Sequence, residues 1–189
     1  MELSNDFSNY NTIIENGCRV FCGAHAAAAQ LLSICARTAV ERPLRLLDFG
    51  NRCDMYYTAR QLRTLTRDPA AAMMNIRLQR AFTCYQAQTL LHRLDPEEDT
   101  PVIILDLLAP FLDENIKTAE VTRLFQDSCA RIWRIQKMRP VLIGVKPLPK
   151  RAEQRMFLLK GLAHDFGMIV LRDVSEVPAL ENVQPPLFN

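Results

Sequence analysis

Two uninterrupted apolar runs, VIIL at 102–105 and VLIGV at 141–145, constrain this chain more than any other feature. Successive side chains of a strand point to opposite faces, so a run that is apolar at every position must be covered on both sides. That is the condition of a strand inside a parallel sheet with helices above and below it. Shorter, partly apolar segments at 18–22, 44–47, 76–80 and from about 168 read as further strands. Between them lie segments of helical period, at 24–40, about 54–67, about 84–94, 117–137 and 151–165. In the longest of these, Val121, Leu124, Phe125, Ser128, Ile132 and Ile135 share one face. Pro69 stands beyond the end of the 54–67 helix, and DPEEDT at 95–100 is a polar break.

Strand and helix in alternation predict an α/β fold: a mostly parallel central sheet covered by helices on both faces. Right-handed crossovers then carry the strand ends to one edge, where loops from distant positions meet. A chain of 189 residues, 49% of them apolar, suits one such domain and can bury roughly 70% of its unfolded surface. We divide it into an extension at 1–16, a core at 17–175 and a proline-rich tail at 176–189. The polar, acidic start MELSNDFSNYNTIIENG does not read as a secretion signal, and no window of 18 uncharged apolar residues offers a membrane span. The expectation is therefore an intracellular protein with no membrane partner.

Six cysteines form no CxxC pair and the three histidines are far apart, so no metal site is expected. No Ser-His-Asp or Cys-His arrangement is legible either. Net charge is only +2, yet residues 131–155 carry Arg131, Arg134, Lys137, Arg139, Lys146, Lys150, Arg151 and Arg155 against the single acid Glu153. Such a local excess attracts a polyanion only where the side chains converge in space.

The junction CRVFCGAHAAAAQLL at 18–32 runs from a strand through a glycine into a helix, where a nucleotide-binding protein places its phosphate cradle. A working cradle needs a lysine for the phosphates and a hydroxyl for magnesium. After Gly23 this chain has only alanine, apart from His25. Asp106, where the run VIIL meets a loop, is the type of residue that faces magnesium in phosphotransfer. Without a lysine or hydroxyl it reads better as a cap or turn residue.

Four stretches resemble the ATPase core of the RecA-type recombinases, especially their archaeal and eukaryotic paralogues: VFCGAHAAAAQLL (20–32), RLLDFGN (45–51), NIRLQRAFTCYQAQTLLHRL (75–94) and PVIILDLLAPFLD (101–113). The likeness spans about 17–172. Aligned on it, Ala28 stands at the lysine position, Ala29 at the hydroxyl position and Phe49 at the catalytic-glutamate turn, where Gly50 is retained. Gly23 and Asp106 complete a degenerate nucleotide site. The resemblance implies a RecA-like fold without ATP turnover, no cofactor and no enzyme activity. It also implies a DNA-facing loop at 144–155, where Lys146, Lys150, Arg151 and Arg155 would hold backbone phosphates. The expected role is a non-catalytic, recombinase-paralogue-like subunit in homologous recombination or DNA repair. It would bind DNA and a related subunit, in the nucleus of a eukaryote or otherwise in the cytoplasm or nucleoid. An ATPase-dead subunit of an RNA-modification assembly such as Elongator, and a purely protein-binding scaffold, remain open. The stretches FSNYNTII (7–14) and QPPLF (184–188) carry aromatics suited to docking.

Overall fold

The computed structural model describes residues 17–95, 98–148 and 150–171. Six strands, β1 (Gly17–Cys22), β2 (Leu44–Asp48), β3 (Ile76–Arg80), β4 (Val102–Leu105), β5 (Pro140–Val145) and β6 (Ile169–Val170), form one sheet in the order β3-β2-β4-β5-β1-β6. Every pairing is parallel. Six α-helices connect or flank them: α1 (Ala28–Glu41), α2 (Met55–Leu65), α3 (Pro69–Met74), α4 (Cys84–Arg93), α5 (Thr118–Ile135) and α6 (Met156–Phe166).

The uninterrupted apolar strands do what their composition requires. Register places Leu47, Ile104, Ile143 and Val20 in one row across four strands, facing the core shared with α4, α5 and α6. The next row, Leu46, Ile103 and Leu142, faces α1, α2 and α3. These side chains are almost fully buried, each contributing about 1.5–3 kcal/mol of transfer free energy. Connections running towards the β3 edge pass over the α1–α3 face, and those running towards β6 pass over the α4–α6 face. A single crossover hand produces this division.

Helix starts follow local chemistry. Asp54, Asp68 and Thr83 each accept from a backbone N–H three residues on, at 2.9, 3.0 and 3.2 Å. Pro69 does lie beyond the end of α2, and there it opens a further short helix, α3, because a missing N–H is harmless at the first helical position. The segment expected to be one helix over 24–40 is divided. Ala24–Ala27 form a 3₁₀ turn in which His25, Ala26 and Ala27 have φ of 48°, 60° and 54°, and regular helix begins at Ala28. The helix expected at 151–165 likewise opens with a 3₁₀ stretch, Lys150–Arg155, before α6. The extension at 1–16 and the tail at 176–189 lie outside the described residues.

At the base of the sheet, Arg139 is fully buried; its Nη1 donates to the Thr100 carbonyl at 3.2 Å and faces Glu98 Oε2 at 3.7 Å. Glu98 also accepts from the Thr100 hydroxyl and from Arg45 Nη2, at 2.6 and 3.0 Å. The Thr100 hydroxyl first, and Arg45 after it, hold the Glu98 carboxyl below the usual carboxylate range. A depressed folded value contributes stability that is complete above the ordinary carboxylate pKa of about 4.3 and is lost as pH falls through the lowered one. Replacing Glu98→Gln should therefore flatten the fall in denaturation midpoint on acidification below about pH 4. An acid limb identical to that of the parent chain would show that Glu98 does not contribute to it.

Candidate functional site

In an open parallel sheet, ligands bind beyond the carboxyl ends of the strands where neighbouring connections diverge to opposite faces. The strand order places one such crevice between β5 and β1 and another between β2 and β4. Both carry residues that the sequence nominated, and both are filled by the protein itself.

The β5/β1 crevice holds the alanine turn. Gly23 N–H donates to the Val145 carbonyl at 3.1 Å, extending the β1/β5 ladder, and Ala26 N–H closes back on the Gly23 carbonyl at 3.1 Å. The left-handed residues then fold the turn onto the sheet, burying Ala26, Ala27 and Ala28, while Ala29 is exposed. Its contact with β5 is so close that a Cβ on Gly144 would lie 2.1 Å from the Ala26 carbonyl oxygen. Leu171 covers the other side, its Cβ 3.2 Å from where a Gly23 Cβ would stand. Left-handed φ at a non-glycine residue costs roughly 1–2 kcal/mol, and packing against β5 is what offsets it here.

The β2/β4 crevice holds an ion-pair cluster. Asp106 is fully buried with φ 55°. Its Oδ2 accepts from Arg52 Nε at 3.1 Å and lies 3.9 Å from Lys146 Nζ, while its Oδ1 has no hydrogen-bond partner among the described residues. Gly50 lies directly above it, since a Cβ there would meet the Asp106 side chain at 2.5 Å. Phe49 is buried in the core and its N–H donates to the Leu105 carbonyl at 2.9 Å. Asp48, at the end of β2, is the organiser of this loop: its two oxygens accept from Arg52 N–H at 2.8 Å and Cys53 N–H at 3.1 Å, and Arg80 Nε approaches at 3.3 Å. Burial first, and the Asp48 charge second, push the Cys53 thiol up to about 11, so it is protonated at neutral pH and is no nucleophile.

Magnesium and a nucleoside triphosphate, the groups that a phosphate-loop ancestry would imply, do not fit these residues. Alanine at 28 and 29 offers neither charge nor oxygen. Asp106 keeps Oδ1 without a hydrogen-bond partner among the described residues, but the Arg52 guanidinium on Oδ2 and Lys146 at 3.9 Å already set two positive charges against this carboxylate, where a hydrated cation would add a third. Among the described residues no group of three or more His, Cys, Asp or Glu side chains could hold a metal ion, and no helix is long and apolar enough to cross a membrane.

The basic run does not gather into one patch. Arg131 donates to the carbonyls of Leu91, His92 and Leu94 and so closes the end of α4. Arg139 is buried at the base, and Lys137 lies over the Trp133 ring at 5.4 Å. Arg155, nominated for phosphate contact, is buried, and its Nη2 donates to the carbonyls of Asp113 and Ile116 at 3.2 and 2.6 Å. Its fork ties the loop before α5 to the start of α6 and is turned away from solvent. Lys146 remains 34% exposed, and Arg52 and Arg80, which sequence reasoning passed over, are 29% and 42% exposed along the same edge. The side chains of Lys150 and Arg151 lie outside the described residues. Only Asp48, four positions before Arg52 at the end of an apolar run, hinted that this loop would be polar inside.

The fold and this edge define a broad class, an α/β protein of Rossmann-like or phosphate-loop-like arrangement with six parallel strands. No family model and no curated protein matches the chain.

Proposed function

We propose that this protein is a non-catalytic subunit of recombinase-paralogue type, which supports homologous recombination or DNA repair by positioning DNA and a related protein subunit. One observation carries the reading: the β5/β1 and β2/β4 crevices are filled by the chain's own groups, Ala26 against Gly144 and Arg52 on Asp106. A core retained with its turnover chemistry filled in serves by shape and surface. The four sequence stretches that resemble RecA-type recombinases give that surface its context. Apolar side chains stand exposed at both ends of the sheet, Met74 and Phe82 flanking β3 and Val170 on β6, as a subunit docking through its edges requires.

DNA contact in this reading narrows to Lys146, Lys150 and Arg151, because Arg155 is occupied internally. Lysine and arginine there hold phosphates without reading sequence. The variant Lys146→Ala/Lys150→Ala/Arg151→Ala should weaken binding to all duplexes alike and lower the slope of log K against log salt by roughly 2–3, about 0.9 per lost phosphate contact. Unchanged affinity and slope would reject this DNA surface. Calorimetric titration with ATP and magnesium should give no heat of binding, and measurable turnover would replace the proposal with an enzyme. Purification from the native cell followed by mass spectrometry should recover a recombinase-like subunit; recovery of a transfer-RNA-modifying assembly instead would overturn the repair assignment.

A further inference from the structure

A cavity of about 640 Å³ lies between α5 and α6, on the face of the molecule away from α1–α3 and clear of both sheet-edge crevices. Phe125, Cys129, Ala130, Trp133, Phe157 and Gly161 give it an apolar floor, and Arg134 and Asp165 stand at its lower end. Trp133, the single tryptophan of the chain, is 49% exposed there. An indole left this open beside a phenylalanine-lined trough is the kind of surface that an amphipathic helix fills.

The chain itself arrives at this place. α6 packs on β1, and α5 belongs to the same core as β5, so the trough overlies the seam where β1 and β5 pair. Gly17 enters β1 at the base of that seam, opposite Pro140. Cys18, the next residue, packs into the α4–α6 core, and burial together with neighbouring Cys129 pushes its thiol upward. The sixteen residues before Gly17 therefore leave the fold beside the lower end of the trough. They contain Phe7, Tyr10 and Ile14, at the i, i+3, i+7 spacing of one helix face. A helix over 7–14 is about 12 Å long, against about 18 Å for the trough from Thr122 to Arg134, and residues 15 and 16 supply the link. Charge agrees on balance: residues 1–16 carry Glu2, Asp6 and Glu15 and no base, while Arg134 and Lys137 near Trp133 outnumber the single trough acid, Asp165.

We propose that residues 1–16 fold back in the same molecule and dock as an amphipathic helix in the trough between α5 and α6, with Phe7, Tyr10 and Ile14 seated against Cys129, Trp133 and Phe157. The tail at 172–189 is the poorer occupant, because Leu171 departs from the opposite edge of the sheet, bonded to the Cys22 carbonyl at 2.8 Å and covering Gly23.

Trp133 reports on the proposal directly in the full chain. Comparing the parent with Phe7→Asp/Tyr10→Asp, emission should shift to the red and acrylamide quenching should rise, as an indole covered by the docked helix returns to the half-exposed state of the empty trough. Ala130→Glu, which places an acid in the trough from an exposed helix position, should give the same change while Phe7 and Tyr10 remain. The parent signal should be constant across a hundredfold dilution. Unaltered emission and quenching in Phe7→Asp/Tyr10→Asp would overturn the proposal. So would a parent signal that changes with dilution, which assigns the trough to a second copy, or a response confined to Phe188→Asp, which assigns it to the tail. Far-ultraviolet circular dichroism equal to the parent's, outside the few residues of the docked helix, separates undocking from unfolding.

Discussion

Gly144→Ala should destabilise the protein by about 3 kcal/mol, at the upper end of the usual cost of overpacking, although it adds one methyl group to a buried strand. The added Cβ would stand 2.1 Å from the Ala26 carbonyl oxygen and 2.7 Å from Leu31 Cδ1. Neither neighbour can yield easily. Ala26 is backbone within a turn of three left-handed residues, and Leu31 is fully buried in the α1–α3 core that Gly144 faces. Either β5 shifts, breaking the rows that join Ile143 to Ile104 and Val20, or the turn lifts and loses the packing that offsets its strain. Gly161→Ala is the matched control. There the new Cβ meets only Phe125 Cε1, at 3.4 Å, and removing a glycine from a helix interior should gain up to about 1 kcal/mol. Denaturation midpoints at constant m-value measure both. Equal effects in the two variants would show that the alanine turn does not press on β5, and the closed β5/β1 crevice would go with it.

The second large effect is expected at Asp48. Asp48→Ala removes the acceptor of two backbone N–H groups, those of Arg52 and Cys53, and the partner of Arg80. A buried donor left without a partner costs about 1–3 kcal/mol, and these two, being part-buried, fall at the lower end of that range. The Arg80 pairing adds little, because that guanidinium is 42% exposed and water screens it. The sum is a loss of about 2 kcal/mol, with Asp48→Asn milder because the amide keeps one acceptor. Asp106→Asn should cost less than Asp48→Ala, since Asp106 accepts one hydrogen bond and buries a second oxygen without a partner. A reversed order in chemical denaturation would make Asp106, not Asp48, the organiser of the edge.

This pair shows where sequence reading reached its limit. Asp106 stood out because it ends the most apolar strand, and its position at the carboxyl edge was legible. Its partner was not, since Arg52 lies 54 residues away and meets it only because β2 and β4 are neighbours in the sheet. A cap or turn role was expected of Asp106; it does occupy a turn, at φ 55°, but its side chain is spent on an ion pair. The basic run at 131–155 erred in the opposite sense. A linear stretch counts charge without knowing which guanidinium groups are drawn inward, and Arg131, Arg139 and Arg155 are each taken up by backbone carbonyls. The alanine-rich stretch 24–29, interrupted only by His25, looked like the start of a long helix because propensity favours it. Packing against Gly144 and the ladder bond from Gly23 overrode that preference over the first four residues.

What the sequence by itself determined was the layered architecture: strands apolar at every position have no stable alternative to burial on both faces, and that follows from alternation alone. It determined the chemistry missing from the strand-to-helix turn as well, because alanine carries no polar group in any fold. Only the tertiary structure decided how the two crevices are filled, which basic side chains face water and where β1 begins relative to β5. Those outcomes depend on contacts between residues tens of positions apart, and strand order, which no local pattern encodes, is what brings them together.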